Sequence, residues 1–318
     1  MNEFEIIEYY FKPKLLNNQY VPTLGIGDDA AVISIEEGEE LVVSMDTLVE
    51  GVHFLRDTSP RDIASKSVLV NLSDMAAMGA APRWITLSLT LPENNIDWIK
   101  KFSSQFNNLA AKYSLLLIGG DLTKGPLSIT IQMHGTVPKG RFLCRSGAKL
   151  GDLIYVTGEL GAAAYTLRYF LNPDKSLEPT KEEIKKLNQP EPRIQAGIVL
   201  RDIATSCIDI SDGLFSDLNH ILKASNVGAE IKLSNIPYSK SLKKLNKELA
   251  IDLALTGGDD YELCFTIPPH MSQSDLKEMI TTVEIHYIGK IDQTCSKLNL
   301  IDENGRIYKF KSKGYQHF

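Results

Sequence analysis

The stretch SITIQMHGTVPKGRFLCRSGAKLGDLIYVTG, residues 128–158, decides how the chain is organised. Its first ten residues alternate apolar and polar side chains, the pattern of a strand with one buried face. Residues 138–152 then hold three glycines, one proline and four basic residues, a composition that breaks regular structure and suits a domain junction. A strand pattern restarts at DLIYVTG (152–158). Upstream of the junction, LVVSMD (41–46) and WITLSLTL (84–91) read as strands, 61–78 and 97–113 carry helical spacing, and 1–20 reads as a short amphipathic helix and a loop. Downstream, a helix is expected at about 160–171 and one exposed helix within the polar segment 172–192. Further helices are expected near 193–205 and 214–224, and strands near 229–233, 261–267 and 285–291. Strands and helices interleave in both halves, so the reading is an α/β (α+β) protein of two domains, 1–138 and 150–318.

Composition narrows the class. The 318 residues carry 34 Lys and Arg against 40 Asp and Glu, a formal charge of −6, and 43% of them are hydrophobic, as in an ordinary globular protein. An acid excess without a basic patch speaks against a nucleic-acid binder. No apolar run approaches the ~18 residues of a membrane span. The N-terminal MNEFEIIEYYF carries acids where a signal peptide has a basic region and an apolar stretch. Cys144, Cys207, Cys264 and Cys295 show no CxxC pair and no His at metal-ligand spacing, which points to free thiols in a reducing cytoplasm.

The chemistry is concentrated in aspartates. Asp28 and Asp29 (GIGDDAAV), Asp46 (VVSMD), Asp74 (NLSDMAAMG), Asp121 (IGGDLTKGP), Asp209 and Asp212 (IDISDG), and Asp259 and Asp260 (GGDDYE) recur beside glycine or at the end of an apolar strand. One such residue is an ordinary turn or cap. Five such clusters together point to carboxylates gathered around a cation, and Mg²⁺, hard and usually shared with phosphate, is the expected one. In an extended IDIS segment Asp209 and Ser211 share a face, so Asp212 needs the turn at Gly213 to join Asp209. A P-loop, the protein-kinase motif set, a Rossmann GxGxxG and a GxSxG elbow are all missing from the sequence. A nucleotide enzyme of this composition would neutralise its triphosphate through metals on aspartates.

GIGDDAAV (25–32), NLSDMAAMGAAP (71–82), IGGDLTKGP (118–126), GAKLGDLIYVTGELG (147–161), DISDGLFSDL (209–218), GGDDYELCFT (257–266) and KGYQHF (313–318) together resemble the thiamine-monophosphate kinase family. VEGVHF (49–54), GGDDYEL and the KGY tail separate that family from its superfamily relatives. These relatives are aminoimidazole ribonucleotide synthetase, selenophosphate synthetase and a hydrogenase maturation factor. The resemblance implies an N-terminal ATP- and metal-binding domain whose sheet pairs with that of a second subunit into a barrel, a C-terminal α/β domain, and a homodimer. It implies metal ligands at Asp29, Ser44, Asp46, Asp74, Asp121, Asp209 and Asp212, with Asp28 held by a structural hydrogen bond. Nucleotide contacts are implied at Tyr113, Gly120, Asp121, Arg145 and Ser211, and thiamine phosphate contacts at His53, Glu262 and Tyr315. Members of the family commonly have Thr where this chain has Met45.

The implied reaction is ATP-dependent phosphorylation of thiamine monophosphate to thiamine diphosphate. The acceptor is already an anionic phosphate oxygen, so no residue is expected to act as acid or base; the aspartates would work through several Mg²⁺ ions, with Asp121 and Asp212 the most critical. Two other readings fit the same motifs: a sister enzyme resembling aminoimidazole ribonucleotide synthetase, or a non-catalytic nucleotide- or metal-binding regulatory module.

Overall fold

The computed structural model describes residues 1–12, 20–173, 177–293 and 297–309. The chain divides into two compact units, Met1–Met75 with Ala80–Gly140, and Ala76–Gly79 with Arg141–Phe318.

The first unit opens with α1 (Glu3–Ile6), capped by a reciprocal Asn2–Glu5 capping box and continued by a π-helical turn over Ile7–Phe11. It continues with β1 (Glu39–Val49), α2 (Pro60–Ala77), β2 (Ala81–Leu91), α3 (Ile96–Lys112), β3 (Leu116–Lys124) and β4 (Ser128–Pro138). The four strands form one sheet in the order β1-β4-β2-β3, antiparallel except for the parallel β2–β3 pair, so β1 and β3 are its edges.

Helix α3 forms because Ile99, Phe102, Phe106, Leu109 and Ala110 recur at helical spacing and are all buried, with the Asn95 side chain capping the Trp98 N–H at 3.1 Å. Its aromatic stripe is continuous: Trp98 stacks on Phe102 at 5.0 Å, Phe102 on Phe106 at 6.3 Å, and Phe11 packs against both. Helix α2 is different, since Ser65, Ser67, Asn71 and Ser73 are as buried as its apolar residues. Three of these polar side chains donate along the helix itself: Ser65, Ser67 and Asn71 donate to the carbonyls of Arg61, Ile63 and Ser67. On the other face of the sheet, residues 20–35 lie over Trp84, Leu116 and Ile118, and the Trp84 indole donates to the Tyr20 carbonyl at 2.8 Å.

The second unit contains β5 (Leu153–Thr157), α4 (Ala162–Leu171), α5 (Lys181–Asn188), α6 (Ile194–Leu200), β6 (Ser206–Asp209), α7 (Leu214–Ser225), β7 (Gly228–Lys232), α8 (Lys247–Thr256), β8 (Leu263–Ile267), α9 (Gln273–Met279), β9 (Ile285–Gln293) and β10 (Leu298–Ile301). Its six strands are ordered β10-β7-β9-β5-β8-β6. Strands β6 and β8 are buried along their whole length, as expected of strands covered on both faces. The main core joins Ile154, Val156, Ile208 and Cys264 of the sheet to Leu218, Ile221 and Leu222 of α7 and to Ala254 and Leu255 of α8. No helix among the described residues is long and apolar enough to cross a membrane.

Phe102 is fully buried at the centre of the aromatic stripe. Phe102→Ala should destabilise the first unit by about 3–5 kcal/mol, read as a lower urea midpoint at unchanged slope; a shift worth under about 1 kcal/mol would contradict this packing.

Candidate active site

The expected carboxylates fall into three groups. The first is built by β1 and α2. Ser44 and Asp46 project from the same side of β1, and the Ser44 hydroxyl donates to the Asp74 carboxylate on α2. Burial pushes the Asp46 carboxyl up to about 7, and the charge of Asp74 adds to the effect. Two carboxylates and a hydroxyl therefore meet in a partly buried setting where the second negative charge is resisted. Met45, between them, points to the opposite side of the strand and is 62% exposed. A threonine hydroxyl at this position would also face away from Asp46 and Asp74, so the exchange of Thr for Met removes no side-chain donor from this group.

The second group lines a cavity of about 780 Å³ along the β3 edge, where Asp28 and Asp29 meet Gly119, Gly120 and Asp121. The Asp28 carboxylate accepts the Asp29 N–H at 2.9 Å, a local turn bond. Gly120 has φ +154, and a Cβ there would lie 1.9 Å from the Leu87 carbonyl oxygen, so the close β2–β3 contact requires glycine. The register separates Asp121 from Asp46. Asp46 lies opposite Ile131, Ile131 opposite Leu87, and Leu87 opposite Gly120. Gly120 thus shares the face of Asp46, and Asp121 projects from the other face, three strand spacings or about 14 Å across the sheet. Among the described residues no set of three or more His, Cys, Asp or Glu side chains is close enough to hold an ion. Within the first unit, strand alternation and opposite sheet edges thus keep Asp46 and Asp121 of one chain apart.

The third group belongs to the second unit. Strand β6 ends at Asp209, and Gly213 turns the chain into α7 with φ +104. A Cβ on Gly213 would come within 2.9 Å of the Leu255 carbonyl oxygen. The loop between them is held by the GGDDYE segment: Ile210 donates to the Glu262 carbonyl, Asp259 to the Ser211 carbonyl, and Tyr261 to the Ile210 carbonyl. Asp259 and Tyr261 reach these bonds at φ +68 and φ +50, a left-handed backbone that is uncommon outside glycine and concentrates at functional sites. Beneath the loop the buried Asp217 carboxylate accepts the Asp212 N–H at 3.0 Å. Burial pushes Asp217 up to about 7; the charge of Asp212 adds to this, and that of Arg145 opposes it. Arg145, Ser211, Asp212 and Asp217 thus share one neighbourhood.

Glu262 is 2% exposed, and both its oxygens are engaged. Arg193 donates to them from Nε at 2.7 Å and Nη2 at 2.6 Å, and the Thr157 hydroxyl donates at 2.7 Å. Gly158, at φ +57, makes room for it, since a Cβ there would fall 2.1 Å from Glu262 Oε1. Glu262 sits in this structure as a paired, buried carboxylate rather than as an open anion. Arg193 and Asp217 were not singled out by sequence. Arg193 opens the helix expected near 193–205, and Asp217 lies within the motif DISDGLFSDL; neither was given a role there.

His53 follows β1 and is partly buried, with Nδ1 accepting the Val49 N–H at 3.0 Å, so a neutral ring carries its proton on Nε2. Tyr113 caps the C-terminus of α3, has Lys112 over its ring at 4.8 Å and is not among the residues lining the cavity with Gly120 and Asp121. Tyr315 lies outside the described residues.

The sequence matches AIR synthase related protein over both parts of that family, the N-terminal domain at residues 27–137 and the C-terminal domain at 149–297. Thiamine-monophosphate kinase of Buchnera aphidicola subsp. Schizaphis graminum is 47% identical over 327 aligned positions, covering 100% of this chain and 99% of its own. The chain belongs to the thiamine-monophosphate kinase family. The crystal structure of the Stenotrophomonas maltophilia K279a member superposes with a TM-score of 0.82 at 41% identity, covering 90% of this chain and 92% of that one. A second solved structure, AaThiL complexed with AMPPCP and TMP, superposes with a TM-score of 0.77 at 29% identity, covering 99% and 96%. The two-domain AIR synthase-like fold expected from the motifs is therefore the fold of this family member.

Removing Arg193 leaves the Glu262 charge buried and unpaired. Arg193→Met should cost about 3–5 kcal/mol of stability, much of it recovered in the double variant Arg193→Met/Glu262→Met. Equal stability of the wild type and the single variant in urea unfolding would contradict this pairing.

Proposed function

We propose that the chain transfers the γ-phosphoryl group of ATP directly to the phosphate of thiamine monophosphate, forming thiamine diphosphate and ADP. The observation that carries the reading is full-length membership of the kinase family, and the Ser44–Asp46–Asp74 group and the Asp209–Asp212 loop of this chain support it. A family member bound to AMPPCP and TMP supports ATP and thiamine monophosphate as the substrates.

The donor set suits magnesium. All the donors are oxygen, and the upward shift of Asp46 marks a place where a second negative charge is resisted until a cation balances it. Asp46, Asp74 and Ser44 would hold such ions in one unit and Asp209 and Asp212 in the other. When bound, Mg²⁺ supplies charge neutralisation for the triphosphate and the acceptor phosphate. The chain itself positions: Arg145 offers a planar guanidinium to phosphate, and His53 presents an Nε2–H donor. Gly119 and Gly120 let a ligand approach the backbone of β3. In the transfer an acceptor phosphate oxygen bonds to the γ-phosphorus as the bond from that phosphorus to the β,γ-bridging oxygen breaks and ADP leaves. The acceptor oxygen is already ionised, so no side chain removes a proton.

The same reading includes a homodimer. Strand β1 is an edge whose outer face exposes Leu41, Val43 and Met45 at 43%, 47% and 62%. An alternating apolar edge strand of this kind invites pairing with a second copy, which fits closure of two such sheets into a barrel. Asp121, on the opposite face and edge from Asp46, would then complete the Asp46–Asp74 group of the partner subunit. A cytoplasmic location fits Cys144, Cys207 and Cys264, which form no disulfide.

Incubation with Mg-ATP and thiamine monophosphate should give ADP and thiamine diphosphate in equal amounts. ADP formed without dependence on thiamine monophosphate, or formed only with a purine precursor as acceptor, would contradict the reading. Asp46→Ala and Asp212→Asn should each lower kcat by about 100-fold or more, the scale of losing transition-state charge stabilisation, with unfolding midpoints no lower than that of the wild type, since removing the buried Asp46 carboxyl relieves its repulsion with Asp74. Shared sites make a sharper forecast. Asp46→Ala and Asp121→Ala chains, each inactive alone, should regain about a quarter of wild-type activity after unfolding and refolding together, because half of the random dimers would carry one intact site. No recovery from a mixture that forms mixed dimers would place both residues in sites within one chain.

A further inference from the structure

Arg145 lies in the loop between β4 and β5, outside every strand and helix, and it is exposed. A guanidinium that meets phosphate in a fixed direction has to start from a fixed backbone. The structure supplies that mount from β6 and α7, the two elements joined by the loop of Ser211 and Asp212.

The mount has three points. The Cys207 N–H of β6 donates to the Cys144 carbonyl at 2.8 Å. Gly147, at φ +122, presses against the residue just before that strand, since a Cβ there would fall 2.2 Å from the Thr205 carbonyl oxygen. The third point is Ser225, the last residue of α7. Its hydroxyl accepts the N–H groups of Gly147 and Ala148, both at 3.1 Å, and donates to the Arg145 carbonyl at 3.3 Å. A hydroxyl offers one donor and two acceptor sites, so the whole bonding capacity of Ser225 goes to residues 145–148. Ser225 is itself fixed: Leu218, Ile221 and Leu222 anchor α7 in the core, and Asn226 ends the helix in a left-handed conformation at φ +53.

From this mount the Arg145 charge reaches the other end of the helix. Asp217 stands about 12 Å from Ser225 along the helix axis. The Arg145 charge nonetheless acts on the buried Asp217 carboxyl, which accepts the Asp212 N–H. A residue held at the last turn of α7 thus brings its guanidinium to the loop at the first turn.

We propose that Ser225 is a positioning residue for Arg145: by fixing the backbone of residues 145–148 it directs the guanidinium to the phosphate chain of the nucleotide beside Ser211 and Asp212. The proposal rests on the ATP-dependent reading above, with Arg145 as the phosphate contact. Without the hydroxyl, the Gly147 and Ala148 N–H groups lose their partner and the loop moves with its arginine.

Calorimetric titration of the full chain with AMPPCP in Mg²⁺ tests this through a double-mutant cycle. Ser225→Ala should weaken binding roughly fivefold to tenfold, and Ser225→Thr, which keeps the hydroxyl, should stay within about twofold of the wild type. In a chain already carrying Arg145→Ala, adding Ser225→Ala should change binding by less than about twofold, because a mount without its arginine has nothing to direct. The KM for thiamine monophosphate should stay within about twofold in Ser225→Ala. A serine that only props up the fold would weaken binding by the same factor with and without Arg145. That additivity, undiminished binding by Ser225→Ala, or an equal rise in the KM for thiamine monophosphate would each overturn the proposal. If Ser225→Ala does not fold, Ser225→Cys, a weaker acceptor of similar size, takes its place in the same cycle. The titration contains no thiamine monophosphate, so a wild type that binds AMPPCP without phosphorylating thiamine monophosphate would sink the proposed reaction while leaving the cycle readable.

Discussion

Asp46 and Asp74 repel one another, and the first unit is arranged so that neither can leave. Asp46 is locked into the β1–β4 ladder opposite Ile131, and Asp74 sits on a helix whose residues from Ile63 to Ser73 are buried on every side. A backbone free to relax would relieve the repulsion by moving one carboxylate into water. Here that movement would unzip an edge strand or dislodge α2 from the core, and the remaining outlets are proton uptake or a cation. The raised Asp46 carboxyl records the first outlet, and the oxygen-only donor set fits the second. Serines and an asparagine inside α2 belong to the same design. They let the helix pack closely while their hydroxyls and amide bond along its own backbone.

The period of two in a strand controls the other groups. It sends Met45 away from its charged neighbours, and it sends Asp121 to the face opposite Asp46. Within the first unit the register thus sets Asp46 and Asp121 on opposite faces and opposite edges of one sheet. In the second unit the left-handed Asp259 and Tyr261 do similar work. They allow the GGDDYE segment to zip against Ile210 and Ser211, so the Asp209–Asp212 loop is held from below by backbone hydrogen bonds and by Asp217.

Much of this was legible in the residues. Periodicity located α3, β2, β4, β5 and α7 within a few residues, because each has a clean buried face or a clear cap. Strand β3 was harder: LLIGGDLTK was assigned no element by periodicity, and the close approach of Gly120 to the Leu87 carbonyl explains why a glycine sits within this strand. The aspartate motifs mark where the carboxylates lie along the chain, but the face each one occupies depends on strand pairing, such as the β2–β3 register that turns Asp121 away from the face of Asp46. Arg193 was hidden for a related reason. Its partner Glu262 stands 69 residues further along the chain, so nothing near Arg193 in sequence announces the pair.

The central chemical claim is that the phosphoryl group passes from ATP to thiamine monophosphate in one displacement, with the protein arranging charge and offering no nucleophile of its own. Stereochemistry at phosphorus measures this directly. ATP made chiral at the γ-phosphorus with sulfur and oxygen isotopes, incubated with the enzyme and thiamine monophosphate, should yield thiamine diphosphate with inverted configuration at the transferred phosphorus. Retention would require two displacements through a covalent phosphoenzyme and would contradict the account.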